Sequence, residues 1–155
     1  MKIKIFLVTG GGYSHIEELK QEIEHITEPQ IECIHVTGVM SHIMEQAQIA
    51  IAANGRTVYE LAHMNIPSII LSHHKREMTH SFAKKDQGFL PLGLYKGKKT
   101  EDEILFALKK LVEDHIFRKD CFNRLKPFRF HKNKQKILDS IAEILNGYIP
   151  HGKKR

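Results

Sequence analysis

Ile49-Ala50-Ile51-Ala52-Ala53-Asn54-Gly55-Arg56-Thr57-Val58-Tyr59-Glu60-Leu61-Ala62-His63-Met64-Asn65-Ile66-Pro67-Ser68-Ile69-Ile70-Leu71 holds one full repeat of the architecture. Ile49–Ala53 is a compact apolar run of strand length, punctuated by Asn54-Gly55. Thr57–Met64 then changes period: Val58, Leu61 and Ala62 fall on one helical face. Asn65 suits the end of that helix, and Pro67 follows closely. Pro67–Leu71 is apolar again and predicts a second strand. A strand, a helix and a strand joined by short turns form a parallel pair with a crossover helix.

The same alternation extends in both directions. Ile3–Val8 predicts a first strand, ending at Thr9-Gly10-Gly11-Gly12-Tyr13. Ser14 and Glu17 have capping-box spacing and predict a helix to about Ile26. Ile31–Val36 is the next strand, and Ser41–Gln48 a short helix. Beyond Leu71 a polar stretch, His73–His80, leads into a helix expected near Thr79–Asp86. Gly88–Leu92 is a short fifth strand. Thr100 and Glu103 repeat the capping-box spacing, opening a helix to about Asp114 with Ile104, Leu105, Leu108, Leu111 and Val112 inward. A last helix is expected over Lys134–Leu145, ending at Gly147. Nearly continuous apolar strands alternating with helices predict an α/β protein whose parallel sheet is covered on both faces.

The chain has 155 residues, the length of one domain, with 41% hydrophobic and 27% charged residues. No apolar run reaches the roughly 18–20 residues that cross a bilayer. Ile3–Val8 is too short for a signal-peptide core, and Cys33 and Cys121 lack metal or redox spacing, so a reducing cytoplasm is expected. The net charge is +6, concentrated in Arg118–Lys136 and in Lys153-Lys154-Arg155. Such a tail attracts anions without choosing among nucleic acid, acidic lipid and protein. Residues 1–147 are expected to form the domain and 148–155 a basic tail.

In parallel sheets of this kind ligands bind beyond the carboxyl ends of the strands. Two loops there have suitable chemistry. Gly10, Gly11 and Gly12 allow close backbone approach ahead of a helix N-terminus, although a tight structural turn accounts for them equally. Asn54, Gly55, Arg56 and Thr57 open the next helix with small residues, where backbone amides face a diphosphate. Glu60, one turn in, is placed to accept hydrogen bonds from both ribose hydroxyls. A plain structural reading stands beside it: Thr57 and Glu60 have capping-box spacing, and Arg56 with Glu60 is an i,i+4 ion pair.

His73, His74 and His80 around Glu77 do not form an HExxH motif, so no metal is assigned. Phe122, Phe128 and Phe130 among the lysines and arginines of 118–136 could stack on single-stranded bases. Anchoring a segment back on the domain is the commoner use of such phenylalanines, and nucleic acid is the lesser expectation.

Asn54–Ala62 followed by Met64–Leu71 resembles the Gly-x-Thr-x-x-Glu … Gly-x-Pro signature of the C-terminal domains of GT-B glycosyltransferases. The resemblance covers roughly Ile3–Leu94 and is tight over Ile49–Leu71. It is similar to the UDP-sugar hydrolase group of pseudaminic acid biosynthesis and the related spore-coat and sialic-acid-type proteins. The lipid II glycosyltransferase and the small catalytic subunit of the dolichol-pathway N-acetylglucosamine transferase share the pattern.

The resemblance implies a Rossmann-like three-layer domain with about five mainly parallel strands, the C-terminal half of a GT-B fold. It implies a UDP- or CMP-sugar ligand, with Asn54, Gly55, Arg56, Thr57 and Glu60 on the nucleotide. His74, Thr79 and His80 would lie on the sugar or phosphate side, with Gly10–Gly12 facing the cleft. It also implies that an N-terminal half or partner chain supplies the acceptor site and commonly the base. No cofactor and no catalytic residue is assigned within this chain, and any membrane association would come through a partner. The alternative is a degenerate, non-catalytic module acting in assembly or regulation. Departures are evident: Asn65 stands where the family usually has glycine, Glu77-Met78-Thr79-His80 replaces its sugar-side Asn/Gln pair, and the span between the first strand and Ile49 is one strand–helix unit short.

Overall fold

The computed structural model describes residues 2–36 and 38–148. The basic tail expected over 148–155 lies outside them except for the backbone of Tyr148. The chain divides into two compact units, Met1–Ala47 and Gln48–Arg155. The protein is α/β and Rossmann-like, and every strand pairing is parallel. The five strands anticipated from the apolar runs are distributed over a two-stranded and a three-stranded sheet.

In the first unit β1 (Lys4–Thr9) pairs along its whole length with β2 (Gln30–His35). Helix α1 (Ile16–Glu24) lies between them in sequence, and α2 (Met40–Met44) follows. The expected Ser14–Glu17 capping box does not form. His15 is the N-cap, and its Nδ1 lies 3.0 Å from the Glu18 carboxylate.

The second unit has strand order β3-β4-β5, built from Ala50–Ala53, Ser68–Ser72 and Phe89–Leu94. Central β4 is buried throughout, which accounts for the uninterrupted apolar run at Ile69–Leu71. Val58, Leu61 and Ala62 of α3 (Thr57–His63) are buried, as the period of three to four predicts. Ile69 packs into a cluster with Ala107 and Leu111 of α4 (Lys98–Glu113) and Cys121 of α5 (His115–Leu125). Each such large aliphatic side chain contributes about 1.5–3 kcal/mol of burial free energy. A final helix, α6, spans Asn133–Tyr148.

Three local expectations are corrected. Helix α4 starts at Lys98 with Gly97 as N-cap, so Thr100 lies inside it, fully buried. The Thr100 hydroxyl accepts the Lys96 amide behind it at 2.9 Å instead of capping forward. Leu105, expected inward, is 61% exposed, and Ala107 takes the core position. The helix expected over Thr79–Asp86 is two 3-10 turns, Glu77–Thr79 and Lys85–Gln87, joined by extended backbone. The His80 carbonyl, which a continuing helix would need, accepts the Asn54 side-chain amide. The extended link also sets Phe82 between Tyr59, at 4.5 Å between ring centroids, and Phe128, at 5.1 Å.

Phe128 and Phe130 thus anchor the segment after α5 on the domain rather than standing free among the cations. Arg118 donates to the carbonyls of Leu111 and Val112 at the end of α4, and Arg124 pairs with Asp120 at 2.7 Å.

Asn65 accounts for its departure from glycine. Its φ is 60°, in the left-handed region that Asn tolerates best after glycine. Its buried side chain donates to the carbonyls of Ala62 (2.9 Å) and His63 (3.1 Å) and accepts from Arg129 (2.9 Å). Asn65→Ala is expected to lower unfolding free energy by about 2 kcal/mol, combining backbone strain with lost hydrogen bonds. Asn65→Gly should cost less, because glycine relieves the strain. Urea unfolding of the three proteins checks the order; equal midpoints for the alanine and glycine variants would show that φ is not the issue.

Candidate functional site

Because β3, β4 and β5 are parallel, the segments that follow them emerge at one end of the sheet. These are Asn54–Arg56, His73–His80 and Tyr95–Gly97. Asn54 continues β3 for one more ladder bond, its amide donating to the Leu71 carbonyl at 2.6 Å. The chain then turns at Gly55, whose amide bonds the Ala53 carbonyl at 2.8 Å, and α3 begins after Arg56.

Gly55 is not required by the protein's own fold. Its φ is not positive, and a Cβ built on it meets nothing within 4 Å. The space a side chain would fill is open. The amides of Arg56 and Thr57 bond no protein acceptor among the described residues, the ordinary state of a helix start that awaits water or an anion.

The two competing uses of Glu60 are not made. The N-cap of α3 is Arg56, with no side-chain cap bond, so there is no Thr57–Glu60 capping box. Arg56 and Glu60 are both exposed, and neither is in an ion pair among the described residues. The Glu60 carboxylate therefore stands one turn from Gly55 with its acceptor capacity unused by the protein.

Asn54 has a structural role that its sequence position does not announce. Its Nδ2 donates to the carbonyls of Glu77 (2.9 Å) and His80 (3.1 Å), latching the loop after β4 to the glycine turn. Both partners are acceptors, which fixes the orientation of the amide. Its Oδ1 is buried without a protein partner. Within the loop, the Glu77 carboxylate accepts the His73 amide at 2.7 Å, and the Thr79 hydroxyl donates to the Arg76 carbonyl at 2.7 Å. Thr79 thus retains acceptor capacity only. His74 and His80 are exposed, and no ring contact or hydrogen bond engages their side chains among the described residues. Among the described residues no group of three or more His, Cys, Asp or Glu side chains is arranged to hold a metal ion.

In the first unit, Gly10–Tyr13 is a turn closed by the Tyr13 amide on the Gly10 carbonyl at 3.0 Å. Gly10, Gly11 and Gly12 are exposed, and none has the positive φ that would demand glycine. Thr9 Oγ1 and His35 Nδ1 are 2.9 Å apart at the carboxyl ends of β1 and β2. No helix among the described residues is long and apolar enough to cross a membrane.

A parallel α/β framework with an open glycine turn, a free helix start and an unengaged carboxylate defines a Rossmann-like protein with a candidate anion-binding end. No family model matches the chain, and no solved structure matches it. Over 116 residues it is 29% identical to the spore coat polysaccharide biosynthesis protein SpsG of Bacillus subtilis (strain 168). The match covers 74% of this chain and 33% of that protein, so the chain spans about a third of the length of the relative.

Proposed function

We propose that this chain carries a nucleotide-sugar-binding α/β domain of GT-B type, with a UDP- or CMP-linked sugar as ligand, serving polysaccharide or nonulosonate biosynthesis. The observation that carries this reading is the Glu60 carboxylate, exposed and unpaired one turn after an open glycine. An ionised carboxylate can accept from both hydroxyls of a ribose, and charge-assisted hydrogen bonds of that kind are among the stronger ones. The free amides at Arg56 and Thr57 would face the diphosphate, and the open volume at Gly55 would admit it. Fixed amide dipoles aimed at a departing nucleotide would supply electrostatic stabilisation of its growing charge. His74, Thr79 and His80 would border the sugar or phosphate side, with Asn54 holding their loop in place. An N-terminal half or partner chain would contribute the acceptor and the base, and the similarity to a spore-coat polysaccharide protein supports the same biosynthetic setting.

Isothermal titration with UDP, CMP and UDP-N-acetylglucosamine tests the proposal. Binding of a uridine or cytidine nucleotide at micromolar to millimolar concentration is the expected result. A second reading, a non-catalytic module, draws on the self-bonded loop, where Asn54, Glu77 and Thr79 each commit a polar group to backbone. Heat flat for every nucleotide would favour that module.

A further inference from the structure

The segment between α5 and α6, Lys126–Lys132, is fastened to the end of α3 by two hooks of different chemistry. Arg129 is the first. Its guanidinium donates to the His63 carbonyl at 3.2 Å and to Asn65 Oδ1 at 2.9 Å. Phe130 is the second: its amide donates to His63 Nδ1 at 3.2 Å. Arginine stays charged at every working pH, so the first hook does not titrate. Imidazole is different. A neutral ring has one bare nitrogen, and this bond requires that it be Nδ1, with the hydrogen on Nε2. A protonated ring has two N–H donors and no acceptor.

The charged and titratable groups around this ring come from two elements. Tyr59 and Glu60 stand about one turn back on α3, and Arg129 and His131 belong to the segment, with the His131 ring at 6.1 Å. A proton on Nδ1 would meet the Phe130 N–H where an acceptor is needed, close to the Arg129 guanidinium. We propose that His63 is a pH-sensitive catch: its neutral imidazole holds the Phe130 end of the segment on α3, and its protonation releases that end while Arg129 stays bound. The bond exists with the neutral ring alone, so attachment is complete at high pH and is lost as the pH falls through imidazole titration. Release has consequences on both sides of Phe130. Its ring packs edge-on against Tyr59 at 6.1 Å and lies 6.2 Å from Phe82. Its carbonyl accepts the amide of Asn133, the first residue of α6, at 2.9 Å. Loosening Phe130 therefore uncovers the stacked Tyr59–Phe82 pair and frees the start of α6.

Amide hydrogen exchange followed by NMR on the 155-residue chain, from about pH 8 to about pH 5, tests the catch. Protection of the Phe130 amide, referred to the unfolded chain at each pH, should fall about tenfold as the pH is lowered. The Met64 amide, held by the Glu60 carbonyl at 2.9 Å in the same helix end, should keep its protection. His63→Asn places an acceptor that does not titrate at the δ position, and should keep Phe130 protected across the range. His63→Leu should leave Phe130 at the low level at every pH, and His131→Gln should leave the pH dependence intact. Constant protection of Phe130 in the unaltered chain overturns the proposal. So does a pH dependence that survives in His63→Asn or disappears in His131→Gln. If the substitutions prevent folding, the imidazole nitrogen spectrum of the unaltered chain decides. A bare Nδ1 that takes up its proton as the Phe130 amide loses protection supports the catch; a hydrogen on Nδ1 of the neutral ring overturns it.

Discussion

Glu60→Ala is expected to weaken UDP binding by about 1–3 kcal/mol, roughly five- to 150-fold in Kd, while leaving stability within about 0.5 kcal/mol. The two halves of this expectation come from the same fact. The Glu60 side chain makes no hydrogen bond or ion pair among the described residues, so its removal breaks no polar contact there. The same freedom makes it available to a ribose, where losing a carboxylate costs a pair of charge-assisted hydrogen bonds. Glu60→Gln, which keeps one acceptor oxygen but loses the charge, should fall between the two. Calorimetric titration checks the affinities and urea unfolding the stability. An unchanged Kd in a folded Glu60→Ala protein would remove this residue from any nucleotide site.

Gly88→Ala should destabilise the fold by about 3 kcal/mol, because it meets two separate penalties. Gly88 ends the second 3-10 turn with φ 97° and ψ 8°, a conformation strained for any residue with a Cβ. A Cβ there would also press into the Cys121 carbonyl oxygen and lie 3.1 Å from Leu125 Cγ. Those atoms belong to α5, which seats directly on this turn through the buried pair Cys121 and Leu125. Either the turn unwinds or α5 lifts from the core cluster. Guanidinium unfolding measures the loss, and an unaltered midpoint would mean that α5 is not packed against Gly88. Gly55→Ala is the contrasting case: with open space and no positive φ, it should leave stability nearly unchanged.

The strand–helix alternation of the second unit was readable because each period belonged to one environment. Ser68–Ser72 is buried on both faces, and Val58, Leu61 and Ala62 form one buried helical face. Helix α5 was not foreseen for the opposite reason. Cys121 and Leu125 are buried, but Ile116 is 75% exposed and Phe122 39%, so no single apolar face marks it. A local signal did exist: Asp114 accepts the Phe117 amide at 2.9 Å as a side-chain N-cap. The three capping boxes read from spacing are absent because the N-caps fall one residue away at His15 and Arg56 and three residues away at Gly97. Around the candidate site, the spacing of Asn54, Gly55 and Glu60 was visible. The latch from Asn54 to Glu77 and His80 was not, since it joins residues 23 and 26 positions apart.

The most direct test compares UDP with 2′-deoxy-UDP on the unaltered chain and on Glu60→Ala. If the carboxylate one turn after Gly55 grips the pentose diol, the unaltered protein should prefer UDP by about 1–2 kcal/mol, and the preference should vanish in the variant. Equal affinity of the unaltered protein for both ligands, or a preference that survives the substitution, would contradict the assignment.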